Sequence, residues 1–392
     1  MIHIVTGEYP PDPGGVSGYS EQLAHALVAQ GKQVHVWTAG TEGESDEDGV
    51  VVHRVAGRFH PQDLKTLGRQ MDLFDGPRRV LVQWTPPSFG MRGLNLAFAL
   101  WLLKRSSANR IELMVHEAFI AFGEGNWRRD AAAVVQRAMT IALLRAAGKV
   151  WVAIPKWEQR LRPWAFGKKL SFEWLPIPSN IAAVANVCAI VEIRRECTRF
   201  RCPLIGHFGT FRKDVGSLLV PAILALESSR AVFLLVGRGS EEARRDLVTN
   251  HPEWCHRIFS TGELDSEDIA TNLSACDVLL QPYPDGISSR RSSVMAALNL
   301  GVPVITNLGH LSETFWSAGG AIAIAASSSA CDLGEAALDL LEDPARRSRM
   351  SAAARELYQK KFHIRHTVTA LLRPDVLEPH CQEEKTSRAS AA

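Results

Sequence analysis

Short runs of β-branched and apolar residues alternate along this chain with longer segments of helical periodicity. The first half has five runs typical of strands, at 2–6, 33–38, 80–83, 111–115 and 150–154. Helical spacing fills three of the intervals, at 19–30, 92–104 and 130–147. Such alternation predicts repeated βα units around a parallel sheet, so the fold class is α/β.

The alternation begins again at Leu204, after a Pro- and Ser-containing break at 175–180. Strands are predicted in this half at 204–208, 231–236, 257–260, 278–281 and 302–306. A single core stops growing at about 250–300 residues, so 392 residues indicate two domains. We predict two Rossmann-like domains facing across a cleft, at 1–178 and 179–343, C-terminal helices at 344–377 that pack back on the first domain, and a disordered tail at 378–392.

Composition excludes several functional classes. The net charge of +2 gives no global basic footprint for a nucleic-acid binder. Seven cysteines without a C-x-x-C pair indicate neither a zinc site nor a disulfide framework, and the chain shows no secretory signal pattern. The acidic triplet at 46–48 is expected in a polar loop away from any strand's carboxyl end. We therefore expect a cytoplasmic protein with no metal and no other cofactor.

A turn rich in small hydroxyl residues and arginines joins a predicted strand to a predicted helix at 281–306. Backbone N–H groups at the helix start and the guanidinium groups of Arg290 and Arg291 would point at one spot. The helix dipole disfavours cations at a helix start, but an anion bound between the two arginines would offset that repulsion. The pattern predicts a phosphate site.

Other loops also follow predicted strands, and they lie at the carboxyl ends of those strands, where open α/β sheets bind ligands. Gly14 and Gly15 follow the first strand, and His116 follows the strand at 111–115. Taken singly, a Gly-Gly pair is more often an ordinary loop, and a strand-end histidine is more often a structural residue. Glycine and arginine loops at 206–213 and 237–240 repeat the arrangement, and together these loops outline a pyrophosphate cradle.

Several motifs carry a resemblance to a known family: GEYPPxxGGVxxY at 7–19, the strand-end His116, LLVGRGS at 234–240, SACDVLLQPY at 274–283 and GVPVIT at 301–306. Their order and spacing resemble the GT-B fold glycosyltransferases of family 4, over nearly all of residues 1–372. The resemblance implies a retaining enzyme that transfers a sugar from a nucleoside-diphosphate donor to an acceptor hydroxyl, in polysaccharide, glycolipid or other glycoconjugate synthesis. It also implies that His116 lies beside the donor sugar and that 237–239 lies near the nucleobase.

The chain departs from that family's pattern at its acidic motif. The motif begins at Asp285, but its second glutamate would fall on Ser293 or Ala296. The family's two cations after the first strand of the second domain would fall on Thr210 and Val215. We infer that Arg290 and Arg291 supply the missing charge, because guanidinium forks match phosphate oxygens.

These arguments predict the following site. The catalytic residues are His116, Asp285 and Arg291. The donor- and phosphate-binding residues are Gly14, Gly15, Val16, Gly209, Thr210, Arg212, Lys213, Gly237, Arg238, Gly239, Gly286, Ser288, Arg290, Ser292 and Ser293. The acceptor contacts are Tyr19, Trp84 and Glu117.

The segment from Gly76 to Leu170 is strongly cationic, with sixteen Lys or Arg against five Asp or Glu, and tryptophans are interspersed. Such a mixture is typical of an anionic membrane surface, although solvated helix faces explain similar charge. The acceptor is accordingly a glycan, a lipid-linked compound or a small molecule, with possible peripheral contact at the inner face of the membrane.

Two alternatives to a transferase remain open. A nucleotide-sugar 2-epimerase of the same fold would need several cleft carboxylates, for which Glu8, Asp12, Glu117 and Asp285 are the supply. A glycosyltransferase-like protein that binds a nucleotide without turnover is the second alternative, and the absent glutamate favours it.

Overall fold

Two β-sheets, each covered by helices, organise the chain into an N-terminal and a C-terminal lobe. The computed structural model describes residues 1–40, 43–56, 58–123 and 126–374. Both sheets are built mainly from parallel strands, and helices lie between successive strands. The predicted α/β fold with two Rossmann-like domains is confirmed.

The N-terminal sheet has eight strands in the order β3-β4-β2-β1-β5-β6-β7-β8, and only β3 is antiparallel to its neighbour. Its strands are β1 (Ile2–Thr6), β2 (Val34–Gly40), β3 (Gly43–Glu47), β4 (Val50–Ala56), β5 (Arg78–Trp84), β6 (Asn109–Val115), β7 (Lys149–Val152) and β8 (Ser171–Trp174). All five residues of β1 are buried, as expected for a central strand covered on both faces. The sheet therefore aligns the carboxyl ends of β1, β5 and β6 at one edge.

Helices between the described strands cover this sheet: α1 (Gly15–Val28), α2 (Pro61–Met71), α3 (Leu96–Arg105), α4 (Trp127–Ala146) and α5 (Pro155–Leu161). Each predicted helix is present, with shifts of a few residues at its ends. None of the described helices combines the length and the apolar character needed to cross a bilayer.

The acidic triplet at 46–48 is not in a loop, so that expectation is wrong. Asp46 and Glu47 belong to β3, which pairs with β4. Asp48 and Gly49 form the connecting turn with positive φ angles of 52° and 83°, and the Gly49 N–H donates to Asp46 Oδ1 at 2.8 Å. The tight turn brings two strands together although β3 carries no apolar alternation.

The C-terminal sheet is entirely parallel, in the order β11-β10-β9-β12-β13-β14. Its strands are β9 (Leu204–Phe208), β10 (Val232–Val236), β11 (Ile258–Ser260), β12 (Val278–Leu280), β13 (Val304–Thr306) and β14 (Ala323–Ile324). Its helices are α6 (Val187–Thr198), α7 (Lys213–Leu224), α8 (Ser240–Asn250), α9 (Ser266–Ser274), α10 (Ser292–Leu300), α11 (Ala330–Glu342) and α12 (Pro344–Leu357). Apolar clusters lie on both faces of the sheet.

The chain returns to the N-terminal lobe at its end. A π-helical turn, Tyr358–Phe362, separates α12 from α13 (Ile364–Leu372). Helix α12 packs on α10 and α11, whereas α13 packs on α1. Buried side chains of α13, Val368 and Leu371 among them, join the N-terminal core. The predicted disordered tail at 378–392 lies outside the described residues.

Buried hydrogen bonds tie the lobes together at the base of the cleft. The Ser289 carbonyl accepts from the Ile177 N–H at 3.1 Å, and the Ser289 Oγ lies 2.8 Å from the Ala153 carbonyl oxygen. Gln22 of α1 donates to the Ser179 carbonyl at 2.7 Å. Ser289 directly precedes Arg290 and Arg291, so these bonds fix the position of both arginines relative to the N-terminal lobe.

Candidate functional site

Two helix N-termini meet in the cleft. Helix α1 begins at Gly15 and α10 begins at Ser292, one from each lobe. A Cβ atom on Gly15 would lie 3.6 Å from the Ser292 Oγ. Neither helix has an acidic residue in its first turn or a side-chain cap, so both present free N–H groups and the positive end of a dipole. Such a pair of helix starts favours an anion.

Arg290 and Arg291 lie beside these helix starts, and both contact Asp285. Arg290 donates through Nη2 to Asp285 Oδ2, and Arg291 donates through Nη2 to Asp285 Oδ1. Burial alone would raise the pKa of Asp285, but attraction to Arg291 and then Arg290 outweighs it and the pKa lies below its usual value. The aspartate is therefore ionised and holds both guanidinium groups in one place.

Contacts across the cleft show which lobe each arginine faces. Arg290 Nη1 lies 3.4 Å from Glu117 Oε1, and its guanidinium carbon lies 5.6 Å from the centre of the Trp157 ring; both partners belong to the N-terminal lobe. The Arg291 guanidinium carbon lies 4.3 Å from the centre of the Tyr283 ring. The side chains are only 15% and 22% exposed, so the structure places both arginines in the cleft and not in bulk solvent.

Each of the two arginines has a buried donor without a partner among the described residues. The Nε–H of Arg290 and that of Arg291 are buried and have no hydrogen-bond partner among the described residues. A buried donor without an acceptor costs about 1–3 kcal/mol. Bound oxyanions would satisfy these two donors, so the cluster has the chemistry of an anion site with unfilled positions.

His116 follows β6 and is buried beneath the same cleft. Its Nε2 lies 2.8 Å from Gln83 Oε1, its carbonyl accepts from the Trp157 indole at 2.9 Å, and the Tyr19 ring approaches it edge-on at 5.1 Å. Burial lowers the pKa of His116 to about 3. The imidazole is therefore neutral at pH 7 and can accept or donate a hydrogen bond but cannot act as a cationic acid.

The acceptor residues predicted from the sequence occupy three different environments. Trp84 is 3% exposed and stacks on Phe89 and Phe98 in the N-terminal core, so its assignment as an acceptor contact is wrong. Tyr19 is also buried, and its hydroxyl has no described partner. Glu117 is the most exposed of the three and reaches the cleft through Arg290.

The remaining residues of the first loop lie at the start of α1. Gly14 and Gly15 are exposed there, and Val16 is half-buried in the first turn of the helix. A Cβ on Gly14 would lie 2.7 Å from Glu8 Oε2, so this position has no room for a side chain unless Glu8 moves. The glycines leave the N–H groups at the helix start open to a ligand.

Gly286 has a structural role that the sequence did not indicate. It adopts a φ of 82°, and a Cβ there would lie 2.1 Å from the Gly309 nitrogen. The loop after β12 is thereby pressed against the loop after β13, so Gly286 does not open toward a ligand. The Ser288 hydroxyl is buried without a described partner.

The position of the absent glutamate is occupied by residues with other roles. The Ser293 hydroxyl lies 2.8 Å from the Tyr283 hydroxyl, and Ala296 is fully buried in the core. Neither side chain presents a carboxylate to the cleft.

The glycine loops of the C-terminal lobe lie together after β9 and β10. A Cβ on Gly237 would lie 3.2 Å from the Gly209 carbonyl oxygen, and Gly239 is the residue before α8. Thr210 and Arg238 are exposed beside them. The two glycine loops are therefore adjacent, and their part in a pyrophosphate cradle stays a prediction.

Arg212 and Lys213 do not join the arginine cluster. Arg212 is exposed and pairs with Asp214 of its own helix at 3.3 Å. Both cations line a groove of about 390 Å³ between α7 and α8, together with apolar residues such as Leu219 and Leu247. No described contact connects this groove to Arg290 or Arg291.

Sequence reasoning missed Glu313. Its carboxylate accepts from the Ser289 N–H at 3.1 Å, the Ser289 hydroxyl at 2.5 Å and the Trp316 indole at 2.7 Å. The glutamate lies in an irregular loop with no flanking motif, so no sequence signal could have identified it. Among the described residues, no group of three or more His, Cys, Asp or Glu is arranged to hold a metal ion.

The chain is similar to known glycosyltransferases in sequence. A family model described as a glycosyl transferase 4-like domain matches residues 14–169, and a second, described as glycosyl transferases group 1, matches residues 202–343. A curated relative, 2-deoxystreptamine glucosyltransferase of Streptomyces kanamyceticus, is 27% identical over 199 residues, which cover 48% of this chain and 51% of the relative. The match thus spans about half the length of that relative.

Solved structures show the same fold. Sucrose-phosphate synthase from Thermosynechococcus elongatus superposes with a TM-score of 0.72 at 20% identity, covering 94% of this chain and 96% of that chain. WaaG, a glycosyltransferase involved in lipopolysaccharide biosynthesis, gives 0.67 at 15% identity, with 95% and 100% covered. Anabaena Alr3699/HepE in complex with UDP and glucose gives 0.68 at 13% identity, with 95% and 98% covered.

Proposed function

We propose that this chain, which has the GT-B fold and matches a glycosyltransferase family model in each lobe, transfers a sugar from a nucleoside-diphosphate donor to an acceptor hydroxyl with retention of configuration. The observation that carries the proposal is the convergence of the α1 and α10 N-termini with Arg290 and Arg291. A donor diphosphate would occupy that point and accept from the unused Nε–H groups.

In the proposed reaction the bond between the anomeric carbon and the β-phosphate oxygen breaks, and the acceptor oxygen bonds to the same carbon on the same face. The acceptor's proton passes to the departing diphosphate. Negative charge grows on the β-phosphate as the bond breaks, so preorganised N–H and guanidinium groups stabilise the transition state more than the bound donor. The positive charge comes from the protein, and we propose that no metal cofactor is required.

His116 and Asp285 have positioning roles in this proposal. A neutral His116 can hydrogen-bond to a donor-sugar hydroxyl through the ring nitrogen that Gln83 does not engage. Asp285 holds Arg290 and Arg291, and each guanidinium has five N–H donors to share between this carboxylate and a phosphate. The epimerase alternative would need several free cleft carboxylates, and two of the four candidates, Asp285 and Glu117, are paired with Arg290.

Thermal shift with UDP-, GDP-, ADP- and dTDP-glucose tests the donor. We expect one of them, first of all UDP-glucose, to stabilise the protein, because a ligand at 100 times its Kd contributes about 2.7 kcal/mol. UDP and UDP-glucose are bound by the Anabaena neighbour, and the curated relative is named a glucosyltransferase. Because the proposed reaction requires no metal ion, sugar transfer should persist when EDTA is added.

Two results would count against this proposal. If none of the four compounds stabilises the protein, the diphosphate site is wrong. If a donor binds but is neither hydrolysed nor transferred to any acceptor, the non-catalytic binding protein replaces the transferase.

We further propose that the N-terminal lobe contacts an anionic membrane from its inner face. The Arg137 guanidinium carbon lies 3.6 Å from the centre of the Phe122 ring and 5.6 Å from that of Trp164, which in turn contacts Phe166. Phe122 and Phe166 are 50% and 60% exposed although large and apolar. A cationic, aromatic surface of this kind binds at the headgroup level of a bilayer.

Co-sedimentation with vesicles tests this contact. We expect the wild type to bind vesicles of phosphatidylcholine with 30% phosphatidylglycerol in low salt, and a Phe122→Ser, Phe166→Ser double variant to bind at least fivefold less. Val184→Ser, which removes an even more exposed apolar side chain outside the N-terminal lobe, is the control and should bind normally. Equal binding to vesicles without anionic lipid would contradict the proposal.

A further inference from the structure

Glu8 lies on the N-terminal wall of the cleft, next to the phosphate site, and has no role in the reaction described so far. It follows β1 and is half-buried. Its backbone is held by Thr6, whose hydroxyl donates to the Glu8 carbonyl at 2.8 Å. The side chain therefore leaves the carboxyl end of the central strand from a fixed position, at the sheet edge where ligands bind in this class of fold.

Ser88 fixes one oxygen of this carboxylate. The Ser88 hydroxyl donates to Glu8 Oε1 at 2.5 Å, from the 3₁₀ turn Pro86–Phe89 that follows β5. A Cβ on Gly7 would lie 2.3 Å from the Ser88 carbonyl oxygen, so only glycine permits the two loops to approach this closely. Glu8 is thus built into a contact between two cleft loops and is not a freely rotating surface acid.

The second oxygen, Oε2, has no hydrogen-bond donor among the described residues. It points at Gly14, where a Cβ would lie 2.7 Å away, and Gly14 directly precedes the first residue of α1. Gly15 in turn faces Ser292 across the cleft. Oε2 is therefore one residue removed from the point where the two helix N-termini meet.

A carboxylate beside a diphosphate site is unfavourable unless it binds something else, because the two negative charges repel. An ionised carboxylate only accepts hydrogen bonds. A hydroxyl or an ammonium group of an acceptor can supply the missing donor, whereas a phosphoryl group would be repelled. On the N-terminal wall, Glu117 adds a second carboxylate, 54% exposed, with only a 3.4 Å contact to Arg290.

We propose that Glu8 is an acceptor-binding residue: its Oε2 accepts a hydrogen bond from a hydroxyl or ammonium group of the acceptor, and Ser88 holds the carboxylate in the orientation required. The site accordingly selects neutral or amino-bearing polyol acceptors over phosphorylated ones. The inference rests on the proposed transferase function and specifies the acceptor class of the same cleft.

Matched acceptors test the assignment once a donor is known. Glucose, glucosamine and glucose 6-phosphate share one ring and differ at a single substituent, which makes them neutral, cationic and anionic, and the corresponding inositol series differs in the same way. We expect the wild type to transfer the sugar to the neutral or amino forms. A Glu8→Gln variant should raise the KM for the best acceptor at least tenfold, while the donor KM changes less than twofold. Ser88→Ala should raise the acceptor KM severalfold, and Glu8→Asp should restore part of the loss.

Two controls separate this role from a structural one. Glu21→Gln alters a half-buried glutamate of α1 in the same lobe and should leave both KM values unchanged. An unaltered donor-induced thermal shift in Glu8→Gln would show that the variant folds and that its phosphate site is intact.

Failure of the inference is distinguishable from failure of the transferase proposal. If no donor stabilises the wild type, the transferase proposal fails first. If the donor binds but phosphorylated acceptors are preferred, or no neutral or amino form is glycosylated, or Glu8→Gln changes the acceptor KM less than twofold, the role of Glu8 is overturned.

Discussion

Replacing Arg291 by alanine is expected to lower kcat for sugar transfer by about 100- to 1000-fold, the range found when one preorganised donor to a developing oxyanion is removed. Arg291 is held by Asp285 and Tyr283 beside the α10 N-terminus, so its guanidinium is already oriented before a donor arrives. Steady-state kinetics with the donor identified by thermal shift measures the loss. Because the charge develops during bond breaking, the effect should fall on kcat more than on the donor KM.

Two variants calibrate that result. Arg291→Lys keeps the charge but loses the planar fork, so we expect about a tenfold loss. Arg245→Ala removes an exposed arginine of α8 and should leave turnover unchanged. A loss confined to the donor KM in Arg291→Ala would mean that the arginine binds the donor uniformly and does not stabilise the leaving group.

The fold was largely predictable because its central strands are buried on both faces. The runs at Ile2–Thr6 and Leu204–Phe208 consist mostly of apolar or β-branched residues, and their predicted bounds match the structure. Strand β3, Gly43–Glu47, was missed because it lies at the edge of the sheet and carries polar residues on both faces. Periodicity detects burial, so an exposed edge strand gives no such signal.

The same reasoning brought some site residues together and misassigned others. His116 follows β6 of the N-terminal sheet and Arg290 follows β12 of the C-terminal sheet, so topology places each at the carboxyl edge of its own sheet. The packing of the two lobes then brings these edges together, as the contact between Arg290 and Glu117 shows. Trp84 also ends a strand, but its side chain turns into the aromatic core with Phe89. Gly286 was predicted to approach a ligand, whereas the loop that it actually meets, at Gly309, is distant in sequence. Contacts of this kind depend on tertiary packing that no local pattern encodes.

Acidification provides a second large effect, because three buried histidines are neutral in the folded protein. Burial, assisted for His3 by the neighbouring His35, lowers the pKa of His3 and His116 to about 3, and burial lowers that of His207 to about 4. In the unfolded chain each titrates near 6.5. Below that pH the unfolded state binds more protons than the folded state, so the free energy of unfolding falls as the pH falls.

At pH 5 each of these histidines should lower the free energy of unfolding by about 2 kcal/mol. The pH is then about 1.5 units below the pKa of the unfolded chain, and each unit corresponds to about 1.4 kcal/mol. His3 and His116 lie in the N-terminal lobe, where burial also lowers the pKa of His35 and His53, whereas His207 lies in the C-terminal lobe. The N-terminal lobe should therefore lose more stability than the C-terminal lobe. Guanidinium chloride unfolding at pH 7.5, 6 and 5, followed by tryptophan fluorescence, measures the loss. His3→Gln preserves an acceptor for the Trp37 indole and should reduce the pH dependence of the unfolding free energy by about one proton. If the unfolding free energy changes by less than about 1 kcal/mol, which corresponds to roughly 0.7 pKa units, between pH 7.5 and 5, the burial of neutral imidazoles is contradicted.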